Sequence, residues 1–526
     1  MAHRVPLPLL VMALACADGE SAAEDTQVAP AAETPAAIDA RAQMVRLSMQ
    51  LAGRRPDRAW LSGTPDAERV AEVLDGLLDD PALGRRAAWA WNEELHLAAF
   101  AEDGSRWNEI DVATRRALNW EPLAGVERVV NEDLSLATLV TATEWPANPA
   151  LAALRGSTYT GSDGEWAWAP YPDGRPMAGM LSTAGLWARH AADATNYNRR
   201  RANLIARVFV CADFFDRDVN FELASADVAS SAVEEAIRTD PACTTCHAAL
   251  DPLAGFLGGF GERSEPSQLR PWLTYSPRMA EFSAAAFAPS WYGSPGSDLS
   301  ELGRMIADDP RFARCMARRT YTWLTGADFD AAPEREAIVA AFVDDGLRFD
   351  GLVRSVVASE AWGAEVEHVA SADQLASALS DAYALPDGGS GVWAGLETAL
   401  FDGELRAMSG DTDDETVLVR NSSPGAGMQL VAEWIARSAA ADALALDAKR
   451  SPEERLLLPM VDSPGEAHHR QALAALYVRF LSVEVDADGA EVDRLWALWS
   501  ATSEDPAAAY AEVLLALSRH PSVVVY

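Results

Sequence analysis

The chain has little positive charge. Its 526 residues carry 43 Lys and Arg against 79 Asp and Glu, a net charge of −36, and Lys449 is the single lysine. So negative a chain excludes a general nucleic-acid binder, which needs basic patches against phosphate. It also disfavours adsorption to anionic lipid surfaces. Cysteine is scarce as well: five in the whole chain are too few for a disulfide-rich scaffold. Beyond the N-terminus no stretch reaches the ~18 uninterrupted apolar residues of a membrane-spanning helix. A GxxxxGK phosphate loop and an HExxH pair are missing, and no Ser-His-Asp arrangement stands out. What remains is ample apolar material, 49% of residues, in a length that suggests about three or four domain-sized units.

The N-terminus predicts export. Met1–Arg4 form a short positive region, Val5–Ala15 an apolar run, and Ala13-Leu14-Ala15 a small-residue exit, which together read as a signal peptide over residues 1–16. Cys16 follows directly, so it is a lipidation candidate, with Ala13 where a lipoprotein signal usually has Leu. Residues 17–36 are rich in Ala, Glu, Pro and Asp and read as a disordered tether. The expected location is the periplasm, or the outer membrane or cell surface as a lipoprotein. Any membrane contact would run only through an N-terminal lipid anchor.

One motif is sharp. Cys243-Thr-Thr-Cys246-His247 has the spacing of c-type haem attachment. Two thiols three positions apart form thioethers with the porphyrin vinyl groups, and the next histidine lies under the ring to ligate iron. The expectation is one covalent haem c on Cys243 and Cys246, with His247 as proximal iron ligand. A zinc ribbon needs a second ligand pair, and a thioredoxin-like CxxC needs a βαβ setting; the sequence offers neither. Downstream, Gly255, Gly258 and Gly259 permit close backbone approach to a flat ligand, and Phe256 and Phe260 are spaced to cover a porphyrin face or to pack in a core. The sixth ligand is open: Met279 is a distal candidate, in competition with Met305, Met177, Met180 and His190. Cys211 and Cys315 are left over. In an oxidising compartment such a pair usually bonds, here closing a loop of about a hundred residues around the haem motif.

Apolar residues recur at helical spacing in Val70–Leu78, Leu302–Ile306, Ile338–Val343, Leu352–Val357, Leu473–Phe480 and Val513–Leu517, so the fold class is mainly α. Residues 145–176 and 261–298 are rich in Pro, Gly and Trp and read as long loops. The division is a helical domain at 37–145, a central segment carrying the haem motif at 146–297, a helical segment at 298–365 and a C-terminal helical domain at 366–526. One pattern recurs in residues 44–87, 314–362 and 472–526: a helix ending near Gly or Asp-Gly, an acidic turn, then helices with a Leu/Val stripe. Its copies lie too far apart for a contiguous solenoid, so it reads as a reused packing module. Asp411–Glu415 and Asp486–Gly489 depart from the EF-hand pattern and read as caps and turns. The 17 tryptophans, Trp89, Trp91, Trp166 and Trp168 among them, suit a core or a carbohydrate platform.

Several stretches together resemble the exported planctomycete-type cytochrome c families, multi-segment proteins of unknown function with a single CxxCH motif. RLSMQLAGRRPD resembles their opening segment, and GMLSTAGLWARH with NRRRANLIARVFVCAD a segment ending in Leu/Val-Cys. TDPACTTCHAALDPLAGFLGGFG is similar to their haem segment, and FARCMARRTYTWLTG with RFDGLVRSVVASEAW to their C-terminal segment. The resemblance implies haem on Cys243, Cys246 and His247. Leu253-Ala254-Gly255 departs from the Leu-Gly-Phe usual after CxxCH, as does the glycine run that follows.

The expected function is electron transfer by an exported c-type haem protein in a periplasmic or cell-surface oxidation, more carrier than catalyst. Its redox partner would present a basic docking face to this acidic chain. Two alternatives stand beside it: a haem enzyme or peroxide or gas sensor with an open distal site, and a helical binding or scaffold protein, polysaccharide-linked, with structural haem.

Overall fold

The computed structural model describes residues 36–99, 110–162, 164–192, 197–216, 237, 239–260, 275–385, 404–458, 465–502 and 505–526. The signal peptide, Cys16 and nearly all of the tether lie outside them. Ala37–Tyr526 form one compact unit. It is mainly helical, with two short antiparallel strand pairs among the described residues. The six stretches of helical periodicity all fall inside helices. Of the two stretches expected as loops, 145–176 contains the paired strands Trp145–Ala147 and Ala167–Ala169 and the helix Pro149–Arg155. The other, as far as it is described, holds the helix Pro277–Ala286 and the pair Ser290–Trp291 with Ser294–Pro295. Proline and glycine there start and close short elements (Pro149 and Pro277 each open a helix), as proline's fixed φ allows.

The described residues form two hydrophobic cores. The first runs from Met44 to Trp362 with Val478 added; the second runs from Val369 to Val524. Residues 37–145, 146–297 and 298–365 therefore share a single core. Polar groups join the cores. Arg46 donates to the carbonyls of Trp362, Ala364 and Val366, and Gln374 to the carbonyl of Met49. Asp414, fully buried, accepts from Asn92 and from the Ala99 amide. Asp413 caps three successive amides, and Asp486 accepts from the Asp488 amide. Both acidic runs are thus turns and buried joints.

The recurring pattern is a three-helix unit: Ala40–Ala52, Ala67–Leu78 and Ala82–Leu95; Pro310–Thr325, Arg335–Asp344 and Phe349–Val357; Glu466–Leu481, Ala490–Thr502 and Pro506–Ser518. In all three units the first helix ends on a residue in the left-handed region, Gly53, Gly326 and Ser482, which turns the chain back at the last carbonyls. Only the third copy pays the strain of a side chain there.

Asp350 opens Phe349–Val357, and its Oδ1 has no hydrogen-bond partner among the described residues. Burial, then the charges of Asp133 and Asp79, push its carboxyl up to about 6 despite Arg354. The charged form is disfavoured on folding, so its cost is absent below pH ~4 and complete above pH ~6. His368 behaves oppositely. Burial, then Arg46 and Arg420, lower it to about 4, so it costs nothing above pH ~6.5 and destabilises progressively as pH falls toward 4. The two windows overlap and partly cancel. Asp350→Asn should therefore raise stability at pH 8 by about 1 kcal/mol, after discounting for solvent screening at this half-buried position. The gain should vanish by pH 4, leaving a steeper acid limb. Urea midpoints at the two pH values check this; an unchanged midpoint at pH 8 refutes it.

Candidate functional site

The motif sits in the first turns of the helix Pro241–Gly255. Pro241 opens the helix with no amide to leave unsatisfied, the Thr244 amide donates to the Asp240 carbonyl at 2.9 Å, and the alanines that follow favour propagation. Cys243, Cys246 and His247 stand at i, i+3 and i+4, so they share one face of one turn. Both cysteines are free thiols and half-buried. Cys246 packs against the first core with Sγ 3.9 Å from the Phe214 carbonyl. The Cys243 thiol is pushed up by partial desolvation and then by the Asp240 carboxylate, so it stays a thiol at neutral pH. The same face becomes buried in the following turns, through Leu250 and Leu253 and then Leu257 just past the helix.

His247 is held from behind. Its Nδ1 lies 3.0 Å from Asp251 Oδ1, one turn on. Arg199, first residue of the helix Arg199–Val210, donates Nε to Oδ1 at 2.5 Å and Nη2 to Oδ2 at 3.1 Å. Burial raises the Asp251 carboxyl, but the bonds from His247 and Arg199 outweigh it and hold the group below its usual range. An ionised carboxylate only accepts, so Nδ1 carries the proton. The Nε2 lone pair is then left for a metal, the tautomer an axial ligand needs. Arg199 is positioned by two consecutive left-handed residues, Tyr197 and Asn198.

Two free thiols and a tautomer-fixed imidazole in one turn fit the donor set of a covalent haem. Among the described residues no three His, Cys, Asp or Glu side chains converge on a bare metal site. The flanking expectations change, however. A Cβ on Gly255 would meet the Phe287 carbonyl, on Gly258 the Ser283 side chain, and on Gly259 the Tyr275 ring. These glycines admit residues 275–287 rather than a flat ligand. Phe256 and Phe260 are buried core residues; Phe260 packs between Trp187 and Tyr275, centroids 5.8 and 5.4 Å away. Met279 stands on Pro277–Ala286 with 48% of its surface exposed. Met180 is buried, and His190 is buried with Nε2 on the Leu95 carbonyl at 2.8 Å. Asp251 and Arg199 were not singled out from sequence; the spacing His247–Asp251 was the available signal.

The remaining cysteines are joined. Cys211 and Cys315 form a disulfide with Cα atoms 5.4 Å apart and a sequence separation of 104. It fastens the end of Arg199–Val210 to Pro310–Thr325, so the helix that presents Arg199 is anchored at its far end.

Residues 292–362 match the model of a family described as protein of unknown function (DUF1585). That stretch contains the whole second three-helix unit, from Pro310 to Val357, with Cys315. No curated protein matches the chain, and no solved structure does.

Proposed function

We propose that this is an exported c-type haem protein that transfers electrons in a periplasmic or cell-surface oxidation. The observation that carries the reading is the turn holding Cys243, Cys246 and His247, with Asp251 fixing the imidazole tautomer. Export is supported by the disulfide, since such bonds persist in oxidising compartments. The family match at 292–362 overlaps the stretch resembling the C-terminal segment of exported cytochrome c families.

When bound, haem iron takes up and releases one electron. The chain's residues do the rest. Cys243 and Cys246 tether the ring, and His247 offers Nε2 from a fixed direction. Asp251 holds the Nδ1 proton and makes the imidazole a stronger donor, while Arg199 limits how much charge Asp251 passes on. The acidic surface suits a partner with a basic docking face. The test is a pyridine haemochrome assay on protein exported from cells with the haem-attachment machinery; absence of covalent haem overturns the proposal.

Asp251→Asn should keep the haem and raise its reduction potential, because a weaker imidazole donor favours the oxidised iron less. A tenfold change in relative affinity corresponds to about 59 mV for one electron. Redox titration of variant against parent checks this, and a lower potential would contradict the role given to Asp251.

A further inference from the structure

We propose that a second site on this chain, a cavity between the two cores, binds a neutral polyhydroxylated ligand of the carbohydrate class. The cavity measures about 1090 Å³, at the upper end for small-molecule sites. Its wall draws on Ala87 and Phe349 of the first core and Val369 of the second. Cys243, Cys246 and His247 do not line it, so the inference stands or falls apart from the haem reading.

The charges of the wall exclude an anion site. Five arginines reach it, and each is already paired. Arg207 and Arg319 converge on Glu94 at 2.8 and 2.5 Å. Arg420 meets Glu93 at 3.1 Å, Arg318 meets Asp330 at 3.4 Å, and Arg86 pairs with Asp373. Asp216, Asp328 and Glu367 also line the cavity and are exposed, so an incoming anion meets uncompensated negative charge. Paired charges still offer hydrogen-bonding atoms, which neutral hydroxyls can use at no cost in net charge.

Aromatic surface completes the match. Trp91 and Trp323 are half-buried on the wall. Trp91 is backed by Phe209 at 5.9 Å and Trp323 by Phe349 at 6.4 Å. Neither indole N–H has an acceptor among the described residues. A sugar ring presents C–H groups on its faces and hydroxyls on its rim. Fixed indoles take the faces, while Thr322, Asn421 and Ser422 on the same wall offer neutral donors and acceptors to the rim.

The test is calorimetric titration of the full chain with neutral oligosaccharides of graded length (gluco-, xylo- and manno-series), with oligogalacturonate and a sulfated glycan in parallel. At least one neutral series should bind, with affinity rising with length until the cavity is filled. Trp91→Ala or Trp323→Ala should weaken it about tenfold or more, with the haem spectrum unchanged. If either variant fails to fold, Ser422→Arg serves, since its bulk at the wall should weaken binding comparably. Preference for the acidic glycans, no binding by any neutral series, or affinity untouched by the folded variants would each overturn the proposal.

Discussion

The Cys243→Ala/Cys246→Ala protein is expected to leave a haem-attaching host with no covalent haem, against one haem per chain for the parent. Each thiol supplies one thioether, and no other free thiol occurs among the described residues. A denaturing gel stained for haem makes the distinction cleanly, because only a covalently held group survives denaturation. The substituted positions are half-buried in the first turns of the helix, and alanine is the best helix former, so the fold should survive. His247→Ala leaves both thiols in place, and its expected loss is the imidazole-ligated spectrum. Haem staining of the double-alanine protein equal to that of the parent would sink the assignment of these cysteines.

Breaking the disulfide should have the next largest effect. With a sequence separation of 104 between Cys211 and Cys315, the chain-entropy model assigns a contribution of about 4–5 kcal/mol. Cys211→Ala/Cys315→Ala should lose a stability of that order, and the loss should be local. The closed loop lies within the first core, whereas residues 369–524 of the second lie outside it. Hydrogen exchange should therefore accelerate in Arg199–Val210 and Pro310–Thr325 and change little in Ala426–Asp447 and Pro506–Ser518. Uniform acceleration, or none, would refute this account. Because Arg199 is the first residue of a helix that this bond anchors, the variant should also weaken the hold on Asp251.

How much of this was legible depended on whether a signal named its own partner. CTTCH names haem as its expected partner, because covalent haem chemistry dictates both its spacing and its order. Cys211 and Cys315 were reachable by counting, once the other three cysteines had roles. The glycines after the motif were legible only as close approaches; sequence could not say whether haem or residues 275–287 would approach, and the protein itself fills the space. Asp251 was visible one turn beyond His247, but its low carboxyl range also depends on Arg199, which lies 52 positions earlier. Helical periodicity placed the three-helix units, and glycine marked the ends of two first helices. Ser482 carries no such mark, since a left-handed serine looks like any other. The cavity was illegible because its wall is assembled from stretches scattered between residues 86 and 526.

The disulfide also sets an order of events. Any two of Cys211, Cys243, Cys246 and Cys315 could bond, and only the Cys211–Cys315 bond leaves both motif cysteines as thiols. In export N-terminus first, Cys211, Cys243 and Cys246 reach the oxidising side before Cys315 does. A bond made early would consume a thiol that haem attachment needs. On the proposed function, maturation of this chain would be a race on a clock set by translocation, in which Cys243 and Cys246 would have to be kept reduced or capped with haem until Cys315 arrives to claim Cys211.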